Sequence, residues 1–214
     1  MKDRTSTWFV ITADQRRSRT SADEVPAALD VLCRLPGWTL PFERTAGDEI
    51  QGLTAEANAV VAAVRELTRL GAWRVGIGAG TVELPLPDST RQARGTAYLA
   101  ARTAVERSRT APTGLALEVG ADSVGTASYS DGNEALVRAE TSLWLLRSLL
   151  ARRTKEGWDV AGLLSSGMSN HDAAARLGIT PSAASQRAKA ANVAVTVAGE
   201  VLAAGLLTEV RTGP

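Results

Sequence analysis

Residues Ser169–Asn192, "SNHDAAARLGITPSAASQRAKAAN", decide how this 214-residue chain divides. The joint is Leu177-Gly178-Ile179-Thr180-Pro181. Gly178 supplies the positive φ of a tight turn, while Leu177 and Ile179 plug the space between two crossing helices. Thr180 is a good N-cap, and Pro181 follows at the first helical position, where its missing N–H costs nothing. The spacing predicts three short helices: Glu156 to Ser165, Ser169 to Leu177 and Pro181 to Ala191. Ala174 is small where two of them cross, and Ala184 and Ala188 continue the buried side of the last.

This is the grammar of a helix-turn-helix. It leaves Thr180, Ser182, Ser185, Gln186, Arg187 and Lys189 to face a DNA major groove. Short hydroxyl, amide and cationic side chains are the types that read base edges and hold phosphates. The segment resembles the DNA-binding helices of sigma-factor and MarR-type regulators. A plain three-helix bundle for protein contacts is the bland alternative. Charge supports DNA. Residues 1–150 carry 17 Lys+Arg against 18 Asp+Glu, whereas Arg152, Arg153, Lys155, Arg176, Arg187 and Lys189 face only Glu156, Asp159 and Asp172 over 151–190. A local basic excess beside a neutral region is what a small nucleic-acid module shows. Double-stranded DNA is the partner expected. A homodimer is expected with it, because paired heads match two half-sites.

Apolar residues make up 44% and charged residues 22%, enough for a sizeable core. The longest apolar run looks far short of the roughly 20 residues of a membrane span, and no signal-peptide core follows the charged N-terminus. With one cysteine, Cys33, and one histidine, His171, neither a disulfide framework nor a zinc site is expected. A cytoplasmic protein fits this usage. His171 reads as a surface helix residue.

Upstream, Trp8 to Ala13 is a buried strand ending at Asp14, and a polar loop follows from Gln15 to Ala22. Asp23 starts a helix that runs to Leu35, closed by Pro36-Gly37. Trp38 to Ala46 and Ile50 to Leu53 flank Gly47-Asp48, a hairpin turn. Thr54 to Leu70 is an amphipathic helix closed by Gly71, and Trp73 to Val82 is a strand whose Gly76, Gly78 and Gly80 suggest a bulge or a close ligand. The order βαββαβ predicts a ferredoxin-like sheet with both helices on one face, hence an α+β domain over 1–133. Further on come a helix from Ala93 to Arg109, a fifth strand from Leu115 to Val119, and a polar loop from Ala121 to Asn133. A long helix over 134–154 reads as a connector and dimerisation surface, and 155–214 as the helix-turn-helix domain. Residues 193–210 form one more apolar helix, expected either to close that domain or to mate with its copy.

The acids make the first domain informative. Asp14 ends the first strand, and Asp48 and Glu49 sit on the hairpin between the second and third strands, which are expected to be the central pair. Clustered carboxylates are a candidate Mg²⁺ site for holding nucleotide phosphates. Arg16, Arg17 and Arg19 follow on the adjacent loop and could meet phosphate oxygens bidentately.

The motifs "FVITADQRRSR", "RTAGDEIQGL", "WRVGIGAGTVE" and "RGTAYLAARTAVE", in this order and followed by the C-terminal motif, resemble the SatD family. That family joins a palm domain like those of nucleotidyl and GGDEF-type cyclases to a C-terminal helix-turn-helix. The resemblance implies a nucleotide ligand with Mg²⁺ at Asp14, Asp48 and Glu49, and phosphate contacts from Arg94 and Arg102. "AGDEI" departs from GGDEF at Ala46 and Ile50, and no counterpart of a transition-state lysine is evident. Three readings of this domain therefore stand: a nucleotide-binding site without turnover, an active nucleotidyl cyclase or nucleotidyltransferase, and a scaffold.

Overall fold

The computed structural model describes residues 7–121 and 129–212. The elements run β1 (Trp8–Gln15), α1 (Val25–Leu32), β2 (Leu40–Arg44), β3 (Glu49–Thr54), α2 (Ala57–Leu70), β4 (Trp73–Gly80), α3 (Thr96–Arg107), β5 (Leu115–Val119) and α4 (Tyr129–Leu150). The chain continues with α5 (Lys155–Ser165), α6 (Asn170–Leu177), α7 (Pro181–Ala190) and α8 (Val193–Thr212). It is a mixed α and β protein, as the α+β expectation has it. Most of the expected 121–133 loop lies outside the described residues, and α4 begins at Tyr129 rather than Glu134.

The five strands form one sheet in the order β2-β3-β1-β4-β5. β1 lies antiparallel between β3 and β4, β2 pairs antiparallel with β3, and β5 runs parallel to β4. The second and third strands are therefore not the central pair, because β2 is an edge. The sequence holds the reason. Phe9 to Ala13 is buried without interruption, as only a strand covered on both faces requires, so β1 takes the interior position.

Phe9, Ile11 and Ala13 face the main core with Trp73, Val75 and Ile77, beneath α1, α2, α4 and α8. Val10 and Leu53 face the other way, toward Ala97 and Ala101 of α3. β4 explains how α3 comes so close. A Cβ on Gly76 would stand 2.2 Å from the Val105 nitrogen, and one on Gly78 2.2 Å from both the Ala101 nitrogen and the Ala97 carbonyl. At Gly80 it would stand 2.6 Å from the Ala97 nitrogen. Two strand residues advance about 6.7 Å and four helix residues about 6 Å, so three alternate glycines meet three successive turns of α3. The register to β1 stays regular across all three glycines, so they mark no bulge. They seat a helix backbone directly on the sheet.

α4 is a core element and no free connector. Ala139, Leu143, Leu146 and Leu150 are buried with the sheet residues. It also closes the open edge of β5. The Glu140 carboxylate accepts from the Leu117 N–H at 2.8 Å, the Trp144 indole N–H donates to the Leu115 carbonyl at 2.7 Å, and Arg107 donates to the Leu117 carbonyl at 2.9 Å. An unpaired strand edge is thereby blunted with side chains. Arg107 in turn is held by Glu140 and Glu118.

α8 returns to this body rather than closing α5–α7 alone. Ala203, Ala204, Leu206 and Leu207 join the main core, and Glu200 pairs with Arg65 of α2 at 3.1 Å. Contrary to the reading that no segment approaches a membrane span, Val193–Val210 of α8 is long and apolar enough to cross one by length and composition, with mean hydropathy 1.7. Its apolar character is used in part for packing on α2 and α4.

α5, α6 and α7 surround a small core of Val160, Ala174 and Ala184, sealed by Leu164, Leu177, Ile179 and Ala188. Gly178 takes φ +65°, the Ile179 N–H reaches the Ala174 carbonyl and the Gly178 N–H the Ala175 carbonyl. This is a complete Schellman motif, which ends α6 and turns the chain into α7.

The glycines supply a test with opposite signs. Gly78→Ala is expected to cost about 3 kcal/mol or more, since only backbone lies in the way. Gly162→Ala on α5, where a new Cβ meets nothing within 4 Å, should stabilise by up to about 1 kcal/mol through helix propensity. Urea denaturation of the two variants checks both.

Candidate functional site

Two surfaces gather the residues that sequence reasoning singled out. The first is a groove of about 440 Å³ between α3 and the sheet face it covers, lined by Thr12, Asp14, Glu49, Gln51, Tyr98 and Arg102 among others. β1 and β3 build its floor. Their register sets Asp14 opposite Glu49 and Thr12 opposite Gln51, so all four side chains share this face. Directly opposed residues have Cβ atoms about 4.5–5.5 Å apart, and like charges so placed repel. Arg74, opposite Asp14 on β4, offsets that repulsion through a 3.3 Å contact to Asp14 Oδ2. Thr45 offsets it further by donating to Glu49 Oε1 at 2.6 Å.

Behind the carboxylates a polar network stiffens the floor. Gln51 Nε2 donates to Thr12 Oγ1 at 3.0 Å, Thr90 Oγ1 lies 3.5 Å from Gln51 Oε1, and it also lies 3.1 Å from the Tyr98 hydroxyl. Burial raises the Tyr98 phenol above its ordinary pKa; the Thr90 hydrogen bond opposes the shift and the Glu43 charge adds to it. Tyr98 is thus a neutral donor or acceptor at neutral pH. Arg102 and Arg109 stand exposed on the opposite wall, and Arg102 lies 3.9 Å from Glu106.

Not every expected residue reaches this groove. Asp48 lies in the hairpin turn, where Gly47 at φ +57° permits the tight bend, and its carbonyl accepts from the Gln15 N–H. Its side chain does not line the groove. Among the described residues no three His, Cys, Asp or Glu side chains gather into a metal-holding group. Asp14 and Glu49 each keep one carboxylate oxygen outside the contacts above. Two such carboxylates could contribute oxygen ligands to a Mg²⁺ ion, which usually keeps several waters.

The arginine loop scatters its charges. Gln15 is buried and pins the loop, donating to Ser21 Oγ and the Ala22 carbonyl and accepting from the Glu24 N–H. Arg17 sits at φ +58° with its carbonyl tying the turn, and Arg17 and Arg19 are exposed. Arg16 turns the other way and donates to the Thr113 carbonyl, on the side of the sheet that carries α2 and α4. Arg94 lines a shallow recess at the start of α3, apart from the carboxylates.

The second surface is α7. Ser182, Ser185, Gln186 and Lys189 are all exposed, and their spacing puts them on one helical stripe opposite the buried Ala184. Thr180 accepts from the Ala183 N–H and Ser169 from the Asp172 N–H, so α7 and α6 are both capped. Asn170 donates to the Pro181 carbonyl at 2.9 Å and ties the two helices together. Arg187 leaves the stripe. It is half-buried on the side toward α5, where its charge helps lower the Glu156 pKa behind hydrogen bonds from the Glu156 backbone and Thr154.

Sequence reasoning missed Gln51, Thr90, Tyr98, Arg74 and Arg153. Polar residues at alternate positions of β1 and β3 were the available signal for the groove floor. Arg153 had no local signal. It stacks 4.5 Å over Trp158, donates to the Ala191 carbonyl at 3.0 and 3.1 Å and to Thr196 Oγ1 at 2.8 Å, and so locks the start of α5 to the α7–α8 joint. It is spent on structure, which removes it from the basic surface.

No protein-family model, curated protein or solved structure matches the chain.

Frame and face of α7 should separate in measurement. Thr180→Ala is expected to cost about 1 kcal/mol by loss of the cap. Gln186→Ala should stay within about 0.5 kcal/mol of the parent, because it replaces an exposed side chain. Thermal unfolding by circular dichroism checks the pair.

Proposed function

We propose that this chain is a sequence-specific DNA-binding regulator of the SatD kind, with a cyclase-like palm that holds a nucleotide and a helix-turn-helix that reads DNA. The observation that carries the reading is the α7 stripe. Four exposed side chains, Ser182, Ser185, Gln186 and Lys189, stand in line on a helix fixed by a Schellman turn, an N-cap and a tie from Asn170. α7 is the recognition helix of this reading. Its hydroxyl and amide groups meet base edges, while Lys189 and the exposed Arg152, Lys155 and Arg176 meet phosphates. Arg187 supports the frame.

The strand order β2-β3-β1-β4 with α1 and α2 on one face supports the ferredoxin-like palm, extended by α3 and β5. In the groove, Asp14 and Glu49 hold a Mg²⁺ ion that offsets phosphate charge. Arg102 and Arg109 approach the phosphates from the α3 wall, and Thr12, Gln51 and Tyr98 offer neutral hydrogen bonds for the rest of the nucleotide. The exposed apolar side chains of α4 and α8, Leu145, Val201 and Leu202 foremost, are the surface through which two copies pair. Pairing sets two heads on half-sites about 34 Å apart.

Selection of bound fragments from a genomic library, followed by gel shift on the selected site, tests the reading. Gln186→Ala with Lys189→Ala should weaken binding at least tenfold, and affinity should fall steeply with salt as phosphate contacts require. An affinity indifferent to both changes would make α5–α7 a protein-contact bundle. For the palm, adding nucleoside triphosphates with Mg²⁺ should shift DNA affinity at least fivefold in the parent and not in Asp14→Asn, since only a ligand with differential affinity for two states can couple the sites. Labelled triphosphate in the same mixtures separates holding from turnover: a product that vanishes in Asp14→Asn would make the domain an enzyme.

A further inference from the structure

On the side of the sheet opposite the carboxylate groove lies a second cavity, of about 400 Å³, lined by Arg16, Thr68, Pro112, Thr113, Arg147 and Ser148 among others. Its chemistry is unusual. Arg147 on α4 is 4% exposed, yet among the described residues its guanidinium meets only neutral partners, donating to the Gly114 carbonyl at 3.0 Å and the Trp73 carbonyl at 2.6 Å. Arg16 lines the same cavity and donates to the Thr113 carbonyl at 3.3 Å. Among the described residues neither guanidinium forms an ion pair, and no carboxylate lines the cavity.

Two cations so placed repel. Burial, and after it the charge of Arg16, bring the Arg147 pKa down to about 10. Burial and the charge of Arg74 lower that of Arg16 as well. A third group makes the arrangement directional: among the described residues Thr113 Oγ1 is buried with no hydrogen-bond partner. A buried hydroxyl left unpaired is unfavourable, because it has given up water without gaining a partner. The fold also makes room for the arrangement. Arg16 Nη2 occupies the space where a Cβ on Gly114 would stand, 2.0 Å away, and Gly114 is held at φ +68°.

We propose that this cavity is a phosphate-binding site, in which Arg16 and Arg147 hold the oxyanion and Thr113 donates the hydroxyl hydrogen bond. A phosphate dianion supplies the missing charge for both guanidiniums and acceptors for the donors that Arg147 does not spend on backbone. The volume is in the range of small-molecule sites, so a phosphomonoester fits, with its organic part over Pro112 and Ala151. The site stands independently of the DNA and nucleotide readings, since it shares no side chain with the groove or with α7.

Isothermal titration of the full chain with inorganic phosphate and, separately, with glycerol 3-phosphate at constant ionic strength tests it. Saturable binding at one site per chain is expected. Tighter binding of the ester identifies a phosphomonoester ligand, and equal or tighter binding of the free ion identifies phosphate itself. Arg16→Gln should weaken the preferred probe at least fivefold. Thr113→Val should weaken it while holding or raising the melting temperature, because it deletes an unpaired hydroxyl at constant shape. Arg69→Gln, which removes the same charge from the exposed end of α2, should leave affinity within twofold. No saturable heat with either probe, or a loss below fivefold in Arg16→Gln, overturns the site. Arg16 is the better arginine to vary, since replacing Arg147 would also remove two buried carbonyl contacts and destabilise the fold.

Discussion

The contact between the β4 glycines and the backbone of α3 is the constraint on which most of the architecture rests. Helices normally sit on sheets through side chains, which hold the two backbones apart. Here Gly76, Gly78 and Gly80 bring α3 down until Ala97, Ala101 and Val105 touch strand backbone. Two consequences follow. The crossover from β4 through α3 to β5 becomes tight enough for β5 to pair in parallel with β4. The polar face of β1 and β3, which a higher helix would leave open, becomes the floor of a walled groove over Asp14 and Glu49. A single methyl on Gly78 would lift the wall and spoil both.

How much of this is legible in the sequence depends on how local the cause is. The boundaries of α5, α6 and α7 can be read within about a residue, because caps, a Schellman glycine and Pro181 act over a few residues. The first four strands and two helices follow from periodicity. Strand order does not, and with it go the central-pair expectation, the aim of Arg16 and the partnership of Arg74 with Asp14. The β4 glycines suggest a bulge when read locally, since their reason lies about twenty residues away in α3. α8 is misplaced for a related cause: apolar residues on most of its faces give no clue to which neighbour it covers.

The two faces of the sheet differ in their electrostatics. The α3 face sets Asp14 and Glu49 side by side, relieved by Arg74 and Thr45, with Arg102 and Arg109 on the facing wall. The opposite face, under α2 and α4, concentrates buried arginine with no carboxylate beside it. β1 feeds both, for Asp14 ends in one site and Arg16, two residues later, ends in the other. Strand alternation alone would have put the two residues on the same face. The switch occurs because Gln15 is pinned by the folded loop and the Arg16 N–H is drawn to the Ala72 carbonyl.

α4 is the element through which these sites meet the α7 surface. Its middle clamps the β5 edge through Glu140 and Trp144, and its last turns carry Arg147 into the arginine cavity. Three residues beyond its end, Arg153 grips the joint of α7 and α8. α8 then runs back along α4 and α2, anchored by Glu200 on Arg65. The α5–α7 unit is therefore held to the sheet body at both ends, by α4 going out and α8 coming back. A head on a single flexible linker would report nothing about a ligand in the body. One held between two packed helices changes its orientation only if α4 and α8 shift together. On the readings proposed above, a ligand beside Arg147 would touch α4 itself, whereas the groove under α3 is lined by residues of neither α4 nor α8. The differential affinity of the first for two positions of α4 would be the energy available to turn α7.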